Sequence, residues 1–123
     1  NLYICDWGNH AIRKMTPNGT ITTVAGTGTA GYVEGLQAQF NLPSGVMVNS
    51  ATGIIYVADF GNHAIRAIAP DGTVSTWLGG TVGFADGSGA IAQFNGTSSL
   101  QMDTNGLIYV ADALNHRIRL ITR

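Results

Sequence analysis

Short apolar runs closed by an acid punctuate the chain: LYICD from Leu2, IYVAD from Ile55 and IYVAD again from Ile108. Each is rich in Ile, Val and Tyr, too short for a helix, and reads as a strand running into a turn. The turns are DWGN, DFGN and DALN, whose Asp and Asn side chains can bond nearby backbone amides. A second strand follows in HAIRKM, HAIRAI and HRIRLI. PNG at Pro17 and PDG at Pro70 predict tight hairpin turns, because Pro presets φ and Gly accepts the positive φ such turns require. A third strand covers residues 20–25 and 73–78. After a long Gly-rich stretch, a fourth begins at about Gly45 and Ser99. No segment carries roughly ten residues of helical periodicity, so the chain reads as all-β.

The same elements recur at a fixed interval. Segments starting at Asn1, Ile54 and Leu107 align without a gap, and Asp6, Asp59 and Asp112 are spaced by 53 residues. His10, His63 and His116 keep that interval, as do Arg13, Arg66 and Arg119. NGTITTVAG matches DGTVSTWLGG at the same offset of 53, and AQFNLPSGVMVN matches AQFNGTSSLQMD at 54. A period of this size signals a repeat architecture, and four short strands per unit describe one four-stranded antiparallel propeller blade. Blade parts are expected at residues 1–25, 45–78 and 99–121, joined by Gly-rich connections at 26–44 and 79–98. Each connection has to carry the chain from an outermost strand back to the next innermost one. Phe40 and Phe94, inside the two AQFN segments, are the expected apolar anchors between adjacent sheets.

YVADFGNHAIR, followed by PDGTVSTWLGG and AQFN, resembles the NHL-repeat family. The Asn-His pair occurs at Asn9-His10, Asn62-His63 and Asn115-His116, with Ala11, Ala64 and Arg117 at the third signature position in place of Leu. The resemblance implies a β-propeller, commonly six-bladed. Its family spans ligand-binding scaffolds, protein-interaction and RNA-binding modules, and a few related propeller enzymes. Three whole 53-residue units would take 159 residues and the chain has 123, so about two and a half blades of a larger parent or assembly are expected. The remaining blades of the same protein, or further copies of the chain, are the first expected partners.

Composition narrows the function classes. Charged residues make up 11% of the chain, where about 25% is usual. The formal charge is −1 and Lys14 is the sole lysine, which argues against a nucleic-acid partner. Lys14, Arg117, Arg119 and Arg123 offer at most a local basic patch. No apolar run approaches the ~20 residues of a membrane helix, so membrane insertion is not expected. The low charge and single lysine lean towards a secreted or cell-surface protein. Cys5 stands alone and aligns with Ala58 and Ala111, the pattern of a buried, inert thiol. Asn18 and Asn95 each match the glycosylation acceptor pattern. GTGTAG from Gly26 lacks the ending of a phosphate-binding loop, and no cofactor is expected.

Equivalent residues of a radial array lie on a circle, so His10, His63 and His116 are expected to stay apart. They read as turn anchors bonded to backbone or stacked on the next sheet, and no metal site is expected. Asp6, Asp59 and Asp112 sit one strand away from Arg13, Arg66 and Arg119, which predicts an ionic pair inside each blade. Function is expected where the copies differ. Trp7 and Phe60 share one turn position, while Tyr32 and Glu34 in one connection correspond to Phe84 and Asp86 in the other. These six are the candidate ligand contacts. They fit a non-catalytic scaffold that binds a protein or carbohydrate through loops on one propeller face. The alternative is a segment of a propeller enzyme, a metal-dependent lyase or a hydrolase, with its unique active-site residues mostly in other blades.

Overall fold

The computed structural model describes residues 1–122, which form ten strands in three antiparallel sheets. The first sheet holds β1 (Leu2–Asp6), β2 (Ala11–Met15) and β3 (Ile21–Ala25). The second holds β4 (Pro43–Val48), β5 (Ile55–Asp59), β6 (Ala64–Ile68) and β7 (Val74–Gly79). The third holds β8 (Thr97–Met102), β9 (Ile108–Asp112) and β10 (Arg117–Ile121). They are propeller blades: a complete four-stranded blade 2 stands between three-stranded blades 1 and 3, with β4 lying against both β8 and β1.

Alternation along β5 shows how one sheet serves two interfaces. Ile55 and Val57 pack with Ile12, Ala38, Phe40, Ile68 and Val74 between blades 1 and 2. Tyr56 and Ala58 point the other way, packing with Ile65, Leu78, Phe94, Leu100, Ile108 and Val110 between blades 2 and 3. A strand with period two buried on both faces reads as the continuous apolar run that the sequence shows. On blade 3 the far face repeats this pattern without a cover. Ile118, the counterpart of Ile65, is 70% exposed, whereas Ile65 is 0% exposed.

A single 3₁₀ turn joins the middle strands of each blade, at Trp7–Asn9, Phe60–Asn62 and Ala113–Asn115. His10, His63 and His116 close these turns in the left-handed region, at φ 54°, 53° and 57°. A connection then leaves each outermost strand through a glycine that nothing larger could replace. At Gly79 (φ +82°), a Cβ would sit 2.5 Å from the His63 carbonyl oxygen.

The connections are two-stranded ribbons. In the first, Gly31 N–H donates to the Phe40 carbonyl at 3.0 Å and Val33 bridges Gln39, while the tip at Gly35 pairs with Val74 of β7. In the second, Gly83 N–H donates to the Phe94 carbonyl at 2.9 Å and Ala85 bridges Gln93. Phe40 and Phe94 end the ribbons buried in the two interfaces. β4 and β8 begin at Pro43 and Thr97, each two residues ahead of the glycine or serine where alternation becomes visible. The cause is a register shift at each start, between Pro43 and Gly45 and between Thr97 and Ser99, which hides the first pairs from a period-two reading.

Candidate functional site

The acid that closes each middle strand is a hub. Asp59 is fully buried; its Oδ1 accepts from Asn41 N–H at 2.8 Å, and its Oδ2 accepts from Asn62 Nδ2 and Arg66 NH1, both at 2.7 Å. Asp112 repeats the arrangement with Asn95 N–H, Asn115 Nδ2 and Arg119 NH1, each at 2.8 Å. Burial pushes the Asp59 carboxyl up, and the bonds from Asn62, Asn41 and Arg66 oppose that push. In blade 1, among the described residues, Asp6 holds only Asn9 and Arg13, at 3.0 Å for the arginine, and both side chains of that pair are about a third exposed.

The arginines grip the ribbons. Arg66 is 0% exposed and donates to the Gln39 carbonyl at 3.0 Å, the Val33 carbonyl at 2.8 Å and Glu34 Oε2 at 3.3 Å. Its guanidinium carbon lies 4.7 Å from the Tyr32 ring centre and 5.1 Å from that of Phe40. Arg119 likewise donates to the Gln93 carbonyl at 3.0 Å, the Ala85 carbonyl at 2.8 Å and Asp86 Oδ1 at 2.7 Å. It lies between Phe84 at 4.8 Å and Phe94 at 5.1 Å. Such stacking uses the planar, weakly hydrated face of the guanidinium while its edge donates.

Asn and His divide the work of holding neighbours. Asn62 and Asn115 donate a second bond to the ribbon of their own blade, at the Gly31 and Gly83 carbonyls, each at 2.8 Å. The histidines reach the next blade: Nδ1 of His10 accepts from Leu42 N–H at 3.1 Å, and Nδ1 of His63 accepts from Gly96 N–H at 3.0 Å. Accepting at Nδ1 places the proton of the neutral ring on Nε2. His116 carries the same turn geometry at the blade 3 edge. Among the described residues no three His, Cys, Asp or Glu side chains converge as a metal site.

Two of the candidate contact pairs therefore sit beside the two inner arginines, and they differ in one respect. Tyr32 and Glu34 are engaged by β7: Thr76 bonds the Tyr32 hydroxyl through its own hydroxyl, and gives its N–H at 3.1 Å and its hydroxyl to Glu34 Oε1. Among the described residues no strand covers Phe84 and Asp86 in this way. They border an open cleft of about 900 Å³ between β7 and β10, whose walls include Trp77, Leu78, Arg117 and Ile118. The Asp86 side chain is 89% exposed, and Arg117 covers the Phe84 ring at 4.2 Å.

Trp7 and Phe60 are not part of the cleft. Trp7 is 54% exposed on the turn of blade 1, while Phe60 is half-buried beside Gly96 of the next blade. The basic residues are also divided: Lys14 is in β2, Arg117 and Arg119 are in β10, and Arg123 lies outside the described residues. Burial pushes the Cys5 thiol up to about 11. Asn18 is in an exposed hairpin, whereas Asn95 is half-buried with its N–H committed to Asp112. Thr76, Trp77 and Arg117 are the cleft-related residues that the repeat pattern passes over. Thr76 had a signal, since Thr23 and Thr76 stand opposite Arg13 and Arg66 in matching strands.

Residues 40–68 match the NHL repeat family. The chain is 38% identical over 71 residues to NHL repeat-containing protein 2 of Gallus gallus, an alignment covering 54% of this chain and 10% of that protein. The chain thus spans about a tenth of that relative's length. Among solved structures it is similar to an auxiliary nutrient binding protein from Bacteroides thetaiotaomicron, with a TM-score of 0.83 and 27% identity over 98% of this chain and 34% of that one. It shares its fold with virginiamycin B lyase from Staphylococcus aureus, at a TM-score of 0.63 and 12% identity, covering 98% of this chain and 36% of that chain.

Proposed function

From a chain that belongs to the NHL-repeat family of β-propellers, we propose a non-catalytic function, binding a protein or carbohydrate ligand through the loops that join its blades. The exposed aromatic on the blade 1 turn carries this reading: Trp7 is 54% exposed at a position where the other copies have Phe60, half-buried, and Ala113. An exposed aromatic ring on a turn offers a stacking surface for a sugar or an apolar side chain. The space beside Phe84 and Asp86 corresponds to the one that β7 fills over Tyr32 and Glu34, the place of a blade's outer strand. The nutrient-binding likeness is in keeping with binding, although fold kinship alone does not assign a ligand. Further blades, of the same protein or of other copies, fit the uncovered face around Ile118.

The test is calorimetric titration of the protein against a panel of oligosaccharides and extended peptides, with the ligand recovered and weighed by mass spectrometry. Binding without chemical change, weakened about tenfold by Trp7→Ala and little altered by Ile21→Ala on β3, is the expected result. Turnover of any bound ligand, or binding indifferent to Trp7→Ala, overturns it.

A further inference from the structure

The interface between blades 1 and 2 departs from that between blades 2 and 3 at one place. The register of β1, β2 and β3 sets Tyr3, Lys14 and Thr22 in a row on one face, with Val24 two residues further along β3. Tyr56, Ala67, Ser75 and Trp77 hold the same positions in blade 2. There the Trp77 ring lies on Tyr56 with centres 4.7 Å apart, and it packs with Ala67 and Ile121 on the core around Ile108. Blade 1 thus carries a valine in place of the indole and an ammonium in place of a methyl group.

The exchange leaves a slot of about 430 Å³ between blades 1 and 2, in the size range of small-ligand sites. Ile55 and Ile68 of blade 2 form one wall, and Tyr3, Lys14 and Val24 face them. The Pro70–Gly72 hairpin bounds it, so it lies at the end of the strands opposite the Trp7 turn. All of its lining comes from these two blades, and none from the innermost strand β4. Lys14 is half-buried and, among the described residues, makes no ion pair. Asp71 is exposed at the rim, where its Oδ1 accepts from Thr73 N–H at 2.9 Å.

An apolar slot with a tyrosine on one wall and one uncompensated cation favours an aromatic body that carries an anion. The ring replaces the missing indole beside Tyr3, and the anion answers Lys14. A single ammonium near an acid balances one negative charge and not the two of a phosphate ester. We infer that this slot binds a small aromatic carboxylate, its ring in the place that Trp77 fills at the next interface and its carboxylate on Lys14 Nζ. An aliphatic acid brings no ring to Tyr3, and a neutral arene leaves Lys14 unpaired. Asp71, the one acid on the slot, weakens the binding. The inference is independent of the turn-face reading above.

Equilibrium dialysis of the protein against indole-3-acetate tests the site. One molecule per chain should bind saturably, and about tenfold more weakly to Lys14→Met, the effect of losing a hydrogen bond between charged groups. Indole, which lacks the acid, should bind the unaltered protein more weakly by a similar factor. Val24→Trp, which copies blade 2, should fill the slot and abolish binding. Asp71→Asn, which copies Asn18 of blade 1, should tighten it. No saturable binding below about 1 mM, binding unchanged by Val24→Trp, or indole binding as tightly as indole-3-acetate overturns the assignment. If Val24→Trp does not fold, Lys14→Met and the comparison with indole decide alone. Trp7→Ala should leave indole-3-acetate binding unchanged; loss there places the acid on the turn face and overturns the slot. A peptide ending in tryptophan that binds more tightly than the free acid makes a protein C-terminus the ligand, which overturns the small-molecule assignment.

Discussion

Replacing Asp59 by Ala strips the acceptor from three buried donors: Asn41 N–H, Asn62 Nδ2 and Arg66 NH1. Arg66 is itself 0% exposed and keeps only one acid, Glu34, at 3.3 Å and half exposed to water. Removing one partner of a buried ion pair costs about 3–5 kcal/mol, and the remaining Glu34 contact places Asp59→Ala near the lower end, about 3 kcal/mol. The matching change at Asp6 touches an ion pair whose two members are 33% and 29% exposed, so its cost should stay below about 1 kcal/mol. The two substitutions are the same chemistry at the same repeat position, and only burial separates them. Urea unfolding followed by far-ultraviolet circular dichroism, which reports the sheets as a whole, measures both. A domain of this size has roughly 5–15 kcal/mol of stability, so a difference of about 2 kcal/mol is readily read from the midpoints. Adding Arg66→Met to Asp59→Ala should restore part of the loss, because the uncompensated cation goes with it. Equal losses at Asp59 and Asp6, or no recovery in the double variant, would refute the idea that the buried acid serves to compensate the arginine that grips the ribbon.

His63→Ala should expose Gly96 N–H to rapid hydrogen exchange while leaving Leu42 N–H, held by His10, protected; loss at both or neither contradicts the blade-to-blade role of the ring. Gly79→Ala meets both a positive φ of +82° and the His63 carbonyl at 2.5 Å, so it should lower the melting temperature clearly more than Gly19→Ala, where φ is +88° but no atom lies within 4 Å. For Cys5, burial disfavours the thiolate and raises the pKa to about 11, so alkylation by iodoacetamide should still be accelerating between pH 9 and 10. A rate that levels off by pH 9 would contradict this.

Much of the scaffold is written in repeating residues because it repeats contacts. Asp59 and Arg66 are seven apart, and the β5–β6 register puts Arg66 opposite Val57, one pleat from Asp59 on the same face. Four residues, 60–63, link the paired Asp59 and Ala64, and the same seven-residue spacing recurs at Asp6/Arg13 and Asp112/Arg119, so the pair is legible from spacing. The ribbon path is different. Glu34 meets Arg66 across 32 positions, within a Gly-rich stretch that has no hydrophobic period and differs in sequence between copies. The histidine bonds are partly legible: the turn and an anchoring role for His follow from the recurring context, but the left-handed φ at His and the acceptor role of Nδ1, which depends on a backbone N–H of the next blade, appear only in the structure. Leu42 and Gly96, which supply those amides, share position but not chemistry, because only their backbone is used.

Amide hydrogen exchange of the protein, with and without ligands from the oligosaccharide and peptide panel, tests most directly that ligand binding belongs to the turn face of the blades. Amides of the Trp7–Asn9 turn should become protected with ligand bound, with no change along Arg117–Ile121. Protection along Arg117–Ile121 with none at the Trp7 turn would contradict the account.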